Sequence, residues 1–365
     1  MKTKNIYFLS LFAYPLFNKN CPTTFGGSEI QLYQIAQKLS KIHTYKINFI
    51  VGNFNQKLIE FYHRIKVIRC GQQIVKSNIL IKGIFPFGLI LILLKTKPDV
   101  LIQRAAGIET GLLALYRLLF KKKFIYMAAS SIDTNGNYRK MNPLKGVFYE
   151  FGLKHASAII SQNQDQQSNL KKYFHLKSEI IKNSFAIPTQ IPTGKKGVLW
   201  VGSSQSLKQP QIFLNLAKTF PKQQFTIIIP KHNLNLWNNI FHKSQKILNL
   251  KFIEKVPFEK INVYFTQAKL FINTSTYEGF PNTFVQATMN GTPIISLNVN
   301  PDKFLDKYNC GYCVNGSLKK LTQYTKKLLT GKKLWSKISH NAYQYAQKNH
   351  DIEKNIKKLI HIINR

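Results

Sequence analysis

Acidic side chains are scarce in this sequence. Fifteen Asp and Glu stand against 53 Lys and Arg in 365 residues, a formal net charge of +38. The excess is even: 27 basic and 8 acidic residues up to Pro188, then 26 and 7 after it. An even excess argues against a dedicated nucleic-acid face, and no nucleic-acid motif occurs. It fits a cationic protein facing an anionic membrane surface or an anionic acceptor. Cysteine is scarce too. Cys21, Cys70, Cys310 and Cys313 make no disulfide framework in a chain this long. The expected compartment is reducing and cytoplasmic.

Long apolar runs are missing. No segment reaches the ~18–20 apolar residues that span a bilayer. The longest run, Gly88 to Leu94 with Ile84-Phe85 before it, is short and has Pro86 inside. Ile6 to Phe12 mimics a signal peptide but lacks a small-residue cleavage site, so a first buried strand is expected. Metal and redox patterns are missing as well. The nine His are scattered without metal spacing. Cys310-Gly311-Tyr312-Cys313 lacks the two further ligands of a zinc site and the helix-opening context of a redox pair. No Asp-x-Asp and no serine nucleophile elbow occur. Asp351 and Glu353 open a helix, where the helix dipole accounts for them.

What is present is organised around Thr274 to Ser296. Leu270-Phe271-Ile272-Asn273 reads as a buried parallel strand. One carboxylate, Glu278, follows in a Gly-Phe-Pro-Asn turn. Thr283 to Met289 then reads as a helix ending near Gly291, and Ile294-Ile295 opens the next strand. Strand, turn and helix start make an anion site suited to phosphate, because the first N–H groups point outward at the positive end of the dipole.

The pattern occurs twice. Ile6 to Ser10 reads as strand one, followed by a loop with Pro15, Pro22 and Gly26-Gly27. Ser28 to Leu39 reads as an amphipathic helix. This is a Rossmann-like opening without the spacing of a dinucleotide fingerprint. Strands are expected at Ile47 to Val51, Val67-Ile68, Asp99 to Arg104, Phe124 to Met127 and Ala156 to Ser161. Arg104 stands at the carboxyl end of its strand, where open parallel sheets bind ligands. Phe85 to Lys95 and Ile108 to Phe120 read as helices. Lys121-Lys122-Lys123 flanks the second, and this basic end could touch anionic lipid. A Pro-, Thr- and Lys-rich linker runs from Ile187-Pro188-Thr189 to Lys195-Lys196. Gly197 to Gly202 restarts strand-then-glycine. Further strands are expected at Phe225 to Ile229, Leu250 to Val256 and Leu270 to Asn273. Helices are expected at Phe258 to Gln267, Leu318 to Leu329, Leu334 to Lys348 and Asp351 to Asn364.

Glu278 to Ser296 resembles the donor-site motif of retaining family-4 glycosyltransferases of the GT-B fold. Glu278 fits the motif's first Glu and Gly291-Thr292-Pro293 its close; Gln286 stands where the second Glu is expected. Gly26-Gly27-Ser28-Glu29 is similar to that family's Gly-Gly-x-Glu. After Gly202, Ser203 takes the place of an Arg, and Lys208 fits a Lys that grips the donor diphosphate. The resemblance implies an α/β protein of two Rossmann-like doubly wound domains facing a cleft. Residues 1–188 would be the acceptor side and 189–350 the nucleotide-sugar side, with helix 351–365 returning to the first.

It further implies transfer from a nucleotide-diphosphate sugar to a hydroxyl acceptor, with no metal and no other cofactor. The acceptor would be a membrane-associated glycan or lipid intermediate of cell-envelope polysaccharide synthesis. The protein would sit peripherally on the inner face of the cell membrane, with no nucleic-acid partner. Glu278 and Lys208 would be catalytic. Gly202, Ser203, Lys255, Val256, Gly279, Phe280, Pro281, Asn282, Thr283 and Gln286 would bind the donor. Gly26, Gly27, Glu29, Arg104 and Asp133 would face the acceptor. The loss of the Arg and the second Glu leaves two other readings: a sugar-nucleotide-binding protein with little catalysis, or a GT-B epimerase or hydrolase.

Overall fold

A computed structural model describes residues 3–21, 23, 25–73 and 85–365. Pro22 and Ile84 lie outside these. The chain divides into two compact units, residues 1–182 with 353–365, and residues 183–352.

Unit 1 is built on eight strands: β1 Lys4–Leu9, β2 Tyr45–Asn53, β3 Ile59–Tyr62, β4 Ile65–Gln73, β5 Val100–Arg104, β6 Lys123–Met127, β7 Ala158–Ser161 and β8 Glu179–Ile180. Their order is β3-β4-β2-β1-β5-β6-β7-β8, and every pair is parallel except β3 with β4. The central strands are apolar on both faces, as a sheet covered on both sides requires. Ile6, Phe8, Phe49 and Ile102 face one core with the helix Gly27–Leu39 and the terminal helix Ile352–Asn364. Tyr7, Leu9, Leu101 and Tyr126 face the other, under the helices Phe85–Thr96, Ile108–Phe120 and Pro143–Lys154. The terminal helix buries Ile356, Leu359, Ile362 and Ile363. Its last carbonyls are satisfied from the sheet side: Lys123 Nζ donates to Ile362 O at 3.1 Å and Ile363 O at 3.2 Å.

Unit 2 is built on β9 Val198–Val201, β10 Phe225–Ile228, β11 Leu250–Ile253, β12 Leu270–Asn273, β13 Ile294–Ser296 and β14 Gly311–Cys313. The order β11-β10-β9-β12-β13-β14 is parallel throughout. Successive strands step outward from β9 through β10 to β11, then restart on its other side at β12. The gap between the carboxyl ends of β9 and β12 is therefore the switch point where such sheets take ligands. Lys195, ahead of β9, donates to Phe265 O at 3.1 Å and Thr266 O at 2.9 Å. It thereby closes the end of the helix Phe258–Gln267 with a cation.

Residues 183–188, which the sequence reading places in the first domain, are held by unit 2. Asn183 Nδ2 donates to Phe280 O at 2.9 Å, Phe185 pairs with Asp351, and Pro188 O accepts from Tyr343 at 2.6 Å. Several elements escape sequence reading: β3, β8, β14 and the helices Asn137–Met141 and Pro143–Lys154. The last of these carries Gly146 and Gly152, residues that read as breakers. They are there for close approach: a Cβ on Gly152 would lie 2.5 Å from the Thr110 carbonyl carbon. Cys310-Gly311-Tyr312-Cys313 proves to be the edge strand β14 and its approach. All four cysteines are free, and burial pushes the Cys310 thiol up to about 12, away from thiolate reactivity.

Candidate functional site

β12 is four buried residues ending in Asn273, and it delivers the chain to the switch point. The loop that follows is fixed by polar groups rather than by packing. Asn273 Nδ2 donates to Glu278 Oε1 at 3.2 Å and Ser275 Oγ donates to the same oxygen at 2.7 Å. The other carboxylate oxygen, Oε2, lies 2.9 Å from Lys208 Nζ. The two side chains are 16 % and 20 % exposed, so the pair is sheltered yet reachable.

The loop after β9 is stapled to the loop after β12. Trp200 Nε1 donates to Thr274 Oγ1 at 2.9 Å, and Thr274 Oγ1 in turn donates to Lys208 O at 2.6 Å. Thr276 N donates to Leu207 O at 2.9 Å. Lys208 is thus placed by its backbone beside Glu278. Gly202 is glycine for a steric reason: a Cβ there would meet the Trp200 ring at 2.9 Å. Ser203 lies in the loop two residues past β9, and its neighbour Ser204 folds that loop by accepting from His232 N at 2.8 Å and Asn233 N at 3.1 Å.

The helix Asn282–Met289 starts just after Glu278, with Pro281 as N-cap in an extended conformation. The backbone N–H groups of Gly279, Phe280 and Thr283 meet no acceptor among the described residues. Phe280 itself turns inward, against Phe284, Phe304 and His350. Its side chain is core, so it could serve a ligand only through its backbone. Asn282 Oδ1 accepts from Asn183 Nδ2 at 3.0 Å. Gln286, a turn further on, is buried, and its side-chain amide makes no hydrogen bond among the described residues. The helix closes at Gly291, whose φ of 62° is left-handed and whose absent Cβ leaves room for Ser339 Oγ. Lys255 and Val256 follow β11, two strands from β9; beside them Lys231 pairs with Glu254 at 2.9 Å. Asn273, Thr274 and Ser275 were not singled out by sequence reading. The signal was there, three polar residues at the carboxyl end of a buried strand.

Residues 182–345 match the family model of glycosyl transferases group 1. The match spans β9 to β14, so it covers the pair Lys208–Glu278 and the start of the helix Asn282–Met289. No curated protein matches the chain. Solved structures resemble it over nearly its full length. Sucrose-phosphate synthase from Thermosynechococcus elongatus is 13% identical with a TM-score of 0.80, covering 99% of this chain and 98% of its own. A glycosyltransferase from Rickettsia africae is 14% identical with a TM-score of 0.71, covering 100% and 98%. WaaG, a glycosyltransferase involved in lipopolysaccharide biosynthesis, is 13% identical with a TM-score of 0.71, covering 98% and 99%. Identities this low speak for the fold. With two sheets that are parallel but for the edge strand β3, that fold is GT-B with two Rossmann-like domains. The group 1 match supports sugar transfer as the class of reaction.

Unit 1 carries the other group of residues in the group 1 glycosyl transferase reading. Gly26 is the N-cap of the helix Gly27–Leu39, and its N–H donates to Glu29 Oε2 at 2.9 Å, so Glu29 closes its own helix. Arg104 ends β5, buried, and burial lowers it to about 10 against the raising charges of Asp133 and Glu29. Asp133 follows β6. Its carboxylate accepts from Ala129 N at 2.7 Å, Ser130 N at 3.1 Å and Ser130 Oγ at 2.9 Å. Burial raises Asp133 above the ordinary carboxylate range, although those bonds and Arg104 pull it down. Tyr149 locks the same loop from below, donating to Asp133 O at 2.6 Å. The structure brings Glu29, Arg104 and Asp133 into one electrostatic group at the carboxyl ends of β1, β5 and β6.

Proposed function

We propose that the protein transfers a sugar, with retention, from a nucleotide-diphosphate sugar to a hydroxyl of a membrane-associated glycan or lipid intermediate. Cell-envelope polysaccharide synthesis, at the inner face of the cell membrane, is the setting we infer. The observation that carries the reading is the Lys208–Glu278 pair at the β9/β12 switch point, beside the unpaired N–H groups of Gly279 and Thr283.

Breaking the bond between the anomeric carbon and the diphosphate leaves negative charge on the leaving oxygens and positive charge on the sugar. Lys208 and the helix start are preorganised donors for the first, an effect commonly the largest in catalysis. Glu278 serves the second. It hydrogen-bonds sugar hydroxyls and shields the oxocarbenium-like centre, an interaction strongest in the transition state. A lone carboxylate would repel the diphosphate. Here Lys208 neutralises it in the resting protein and can swing its remaining N–H groups toward phosphate oxygens. Gln286 has a free amide to offer the ribose hydroxyls. Lys255 and Val256 would border the base through backbone groups. Gly26, Gly27, Arg104 and Asp133 would border the acceptor. No metal is needed in this scheme, since Lys208 and backbone dipoles supply the positive charge.

The test is incubation with radiolabelled UDP- and GDP-sugars and a membrane lipid extract. Label should move to the lipid fraction and continue to do so in EDTA. Labelled donor that is bound but unchanged would overturn the reading in favour of a binding protein. Activity lost to EDTA and restored by manganese would overturn the metal-free scheme.

A further inference from the structure

Three neighbouring helices on one face of the unit 1 sheet turn apolar side chains both inward and outward. In the helix Phe85–Thr96, Leu89 and Leu93 are buried while Phe87, Leu91 and Leu94 are exposed. In Ile108–Phe120, Leu112, Leu113 and Tyr116 are buried while Leu115, Leu118 and Leu119 are exposed, Leu119 at 68 %. In Pro143–Lys154, Tyr149 and Leu153 are buried while Leu144 and Val147 are exposed, Leu144 at 89 %. Each outward set recurs at three- and four-residue spacing, so each is a stripe along its helix. The helices adjoin, and Gly111 and Gly152 bring the second and third close: a Cβ on Gly111 would lie 2.5 Å from Phe148. Met141, just before the third, adds to the same surface.

The opposite face of this sheet supplies the control. The helices Gly27–Leu39 and Ile352–Asn364 expose no large hydrophobic residue. Unit 2 exposes a few, such as Leu234, Leu248 and Leu318, scattered over separate elements. Isolated apolar side chains on a surface are ordinary; three adjoining stripes are not.

The charge around the stripes names the occupant. Residues 85–154 hold eleven Lys and Arg against four Asp and Glu. Of the four, Asp99 pairs with Lys122, Glu150 pairs with Arg139, and Asp133 is buried. Lys95, Lys97, Lys121, Lys140 and Lys145 stand exposed at the ends of the striped helices. Apolar stripes rimmed by lysine suit one chemistry, acyl chains beneath anionic headgroups. Among the described residues no helix is long and apolar enough to cross a membrane. We propose that this three-helix face of unit 1 docks flat on an anionic lipid surface. The proposal deepens the transferase reading, since a lipid-linked acceptor would lie in that surface; docking itself involves no sugar chemistry.

The experiment is flotation of the full chain with vesicles of phosphatidylcholine alone and of phosphatidylcholine mixed with phosphatidylglycerol. Binding is expected to the mixed vesicles and to weaken with salt. The double variant Leu119→Glu/Leu144→Glu should lower the vesicle affinity by about tenfold or more. Leu318→Glu in unit 2 should leave it unchanged. The variants change exposed positions, and a melting curve checks their folding; Leu119→Ser/Leu144→Ser is the milder pair should the first not fold. Failure to bind either vesicle would overturn the proposal. Anionic binding that both double variants keep would overturn it too, leaving general charge attraction. A dimer in sedimentation velocity that the double variant splits, without vesicle binding, would assign the face to a second copy instead. A chain that docks as expected yet transfers no sugar would uphold the docking face and overturn only the transferase reading.

Discussion

Both sheets gather charge at the carboxyl ends of their central strands, but they leave it in different states. In unit 2, Glu278 and Lys208 neutralise one another across 2.9 Å and keep part of their surface open. In unit 1, Asp133 is 4 % and Arg104 8 % exposed, and the carboxylate is filled by three hydrogen bonds from its own loop. An ion pair that is reachable can exchange one partner for a ligand. A carboxylate buried on backbone N–H groups builds a loop, because removing it would leave those donors unpaired. The difference predicts that substitutions in unit 2 act on chemistry first and those in unit 1 on folding first.

The largest expected effect tests the unit 2 half of that contrast. Glu278→Gln keeps an oxygen for Asn273 and Ser275 but removes the charge that faces Lys208. Single-turnover transfer should fall about 10²-fold or more, since the lost interaction forms mainly in the transition state. Donor affinity should change little. If Glu278 were only a charge at a helix start, the cost would be about 0.3–1 kcal/mol of stability with transfer unchanged. A melting curve beside the rate measurement separates the two.

Gln286 gives the next largest effect and sharpens the comparison from the neutral side. The residue is largely buried, and its side-chain amide makes no hydrogen bond among the described residues, so the amide is open to a nucleotide. Gln286→Leu should weaken nucleotide binding by about 1–3 kcal/mol, the cost of leaving ribose hydroxyls unpaired. Gln286→Glu should keep or tighten it, as a carboxylate accepts from hydroxyls more strongly. Equal affinity for all three in titration calorimetry would place Gln286 outside the site and leave the Lys208–Glu278 pair alone.

Much of this is legible in the sequence. The apolar runs that became β1, β5, β6, β9 and β12 are buried on both faces, and that double burial writes itself into sequence as an unbroken hydrophobic run. Edge strands have no such need, and of the four edges only β11 was read, while β3, β8 and β14 were not. Glu278 stood out because carboxylates are rare around it, and Lys208 because of its place after a strand and glycine. Their pairing was not legible. It depends on Trp200, Thr274 and the Lys208 carbonyl meeting across two loops far apart in sequence. In unit 1 the opposite happened. An Asp just past a strand gives the same signal whether or not it also ties its own loop, and only the bonds to Ala129 and Ser130 reveal that structural use. The exposed stripes were hidden for a similar reason: a leucine-rich helix reads as core, and sequence cannot tell that half its leucines face outward.

The smallest expected effect concerns Asp133 and the pH dependence of stability. Burial raises its folded-state pKa above the ordinary value, so in the acid range just above that value the folded chain holds a proton that the unfolded chain has released. Stability falls with rising pH wherever the folded state binds more protons. Asp133 should therefore destabilise the protein progressively as pH climbs from the unfolded Asp pKa through the raised one, and by a constant amount above it. Asp133→Asn removes that titration and preserves the loop: its carbonyl oxygen can accept from Ala129 and Ser130 N–H while its amide donates to the Ser130 hydroxyl. Measured as the difference in melting temperature between parent and variant across the acid range, the parent should lose ground as pH rises. Asp133→Ala, which leaves the two N–H groups bare, should instead be less stable at every pH. A parent-minus-Asn difference that is flat with pH would show the carboxylate to be ionised at little cost. Its hydrogen bonds and the Arg104 charge would then offset its burial, and the contrast between the two sheets would narrow to one of exposure alone.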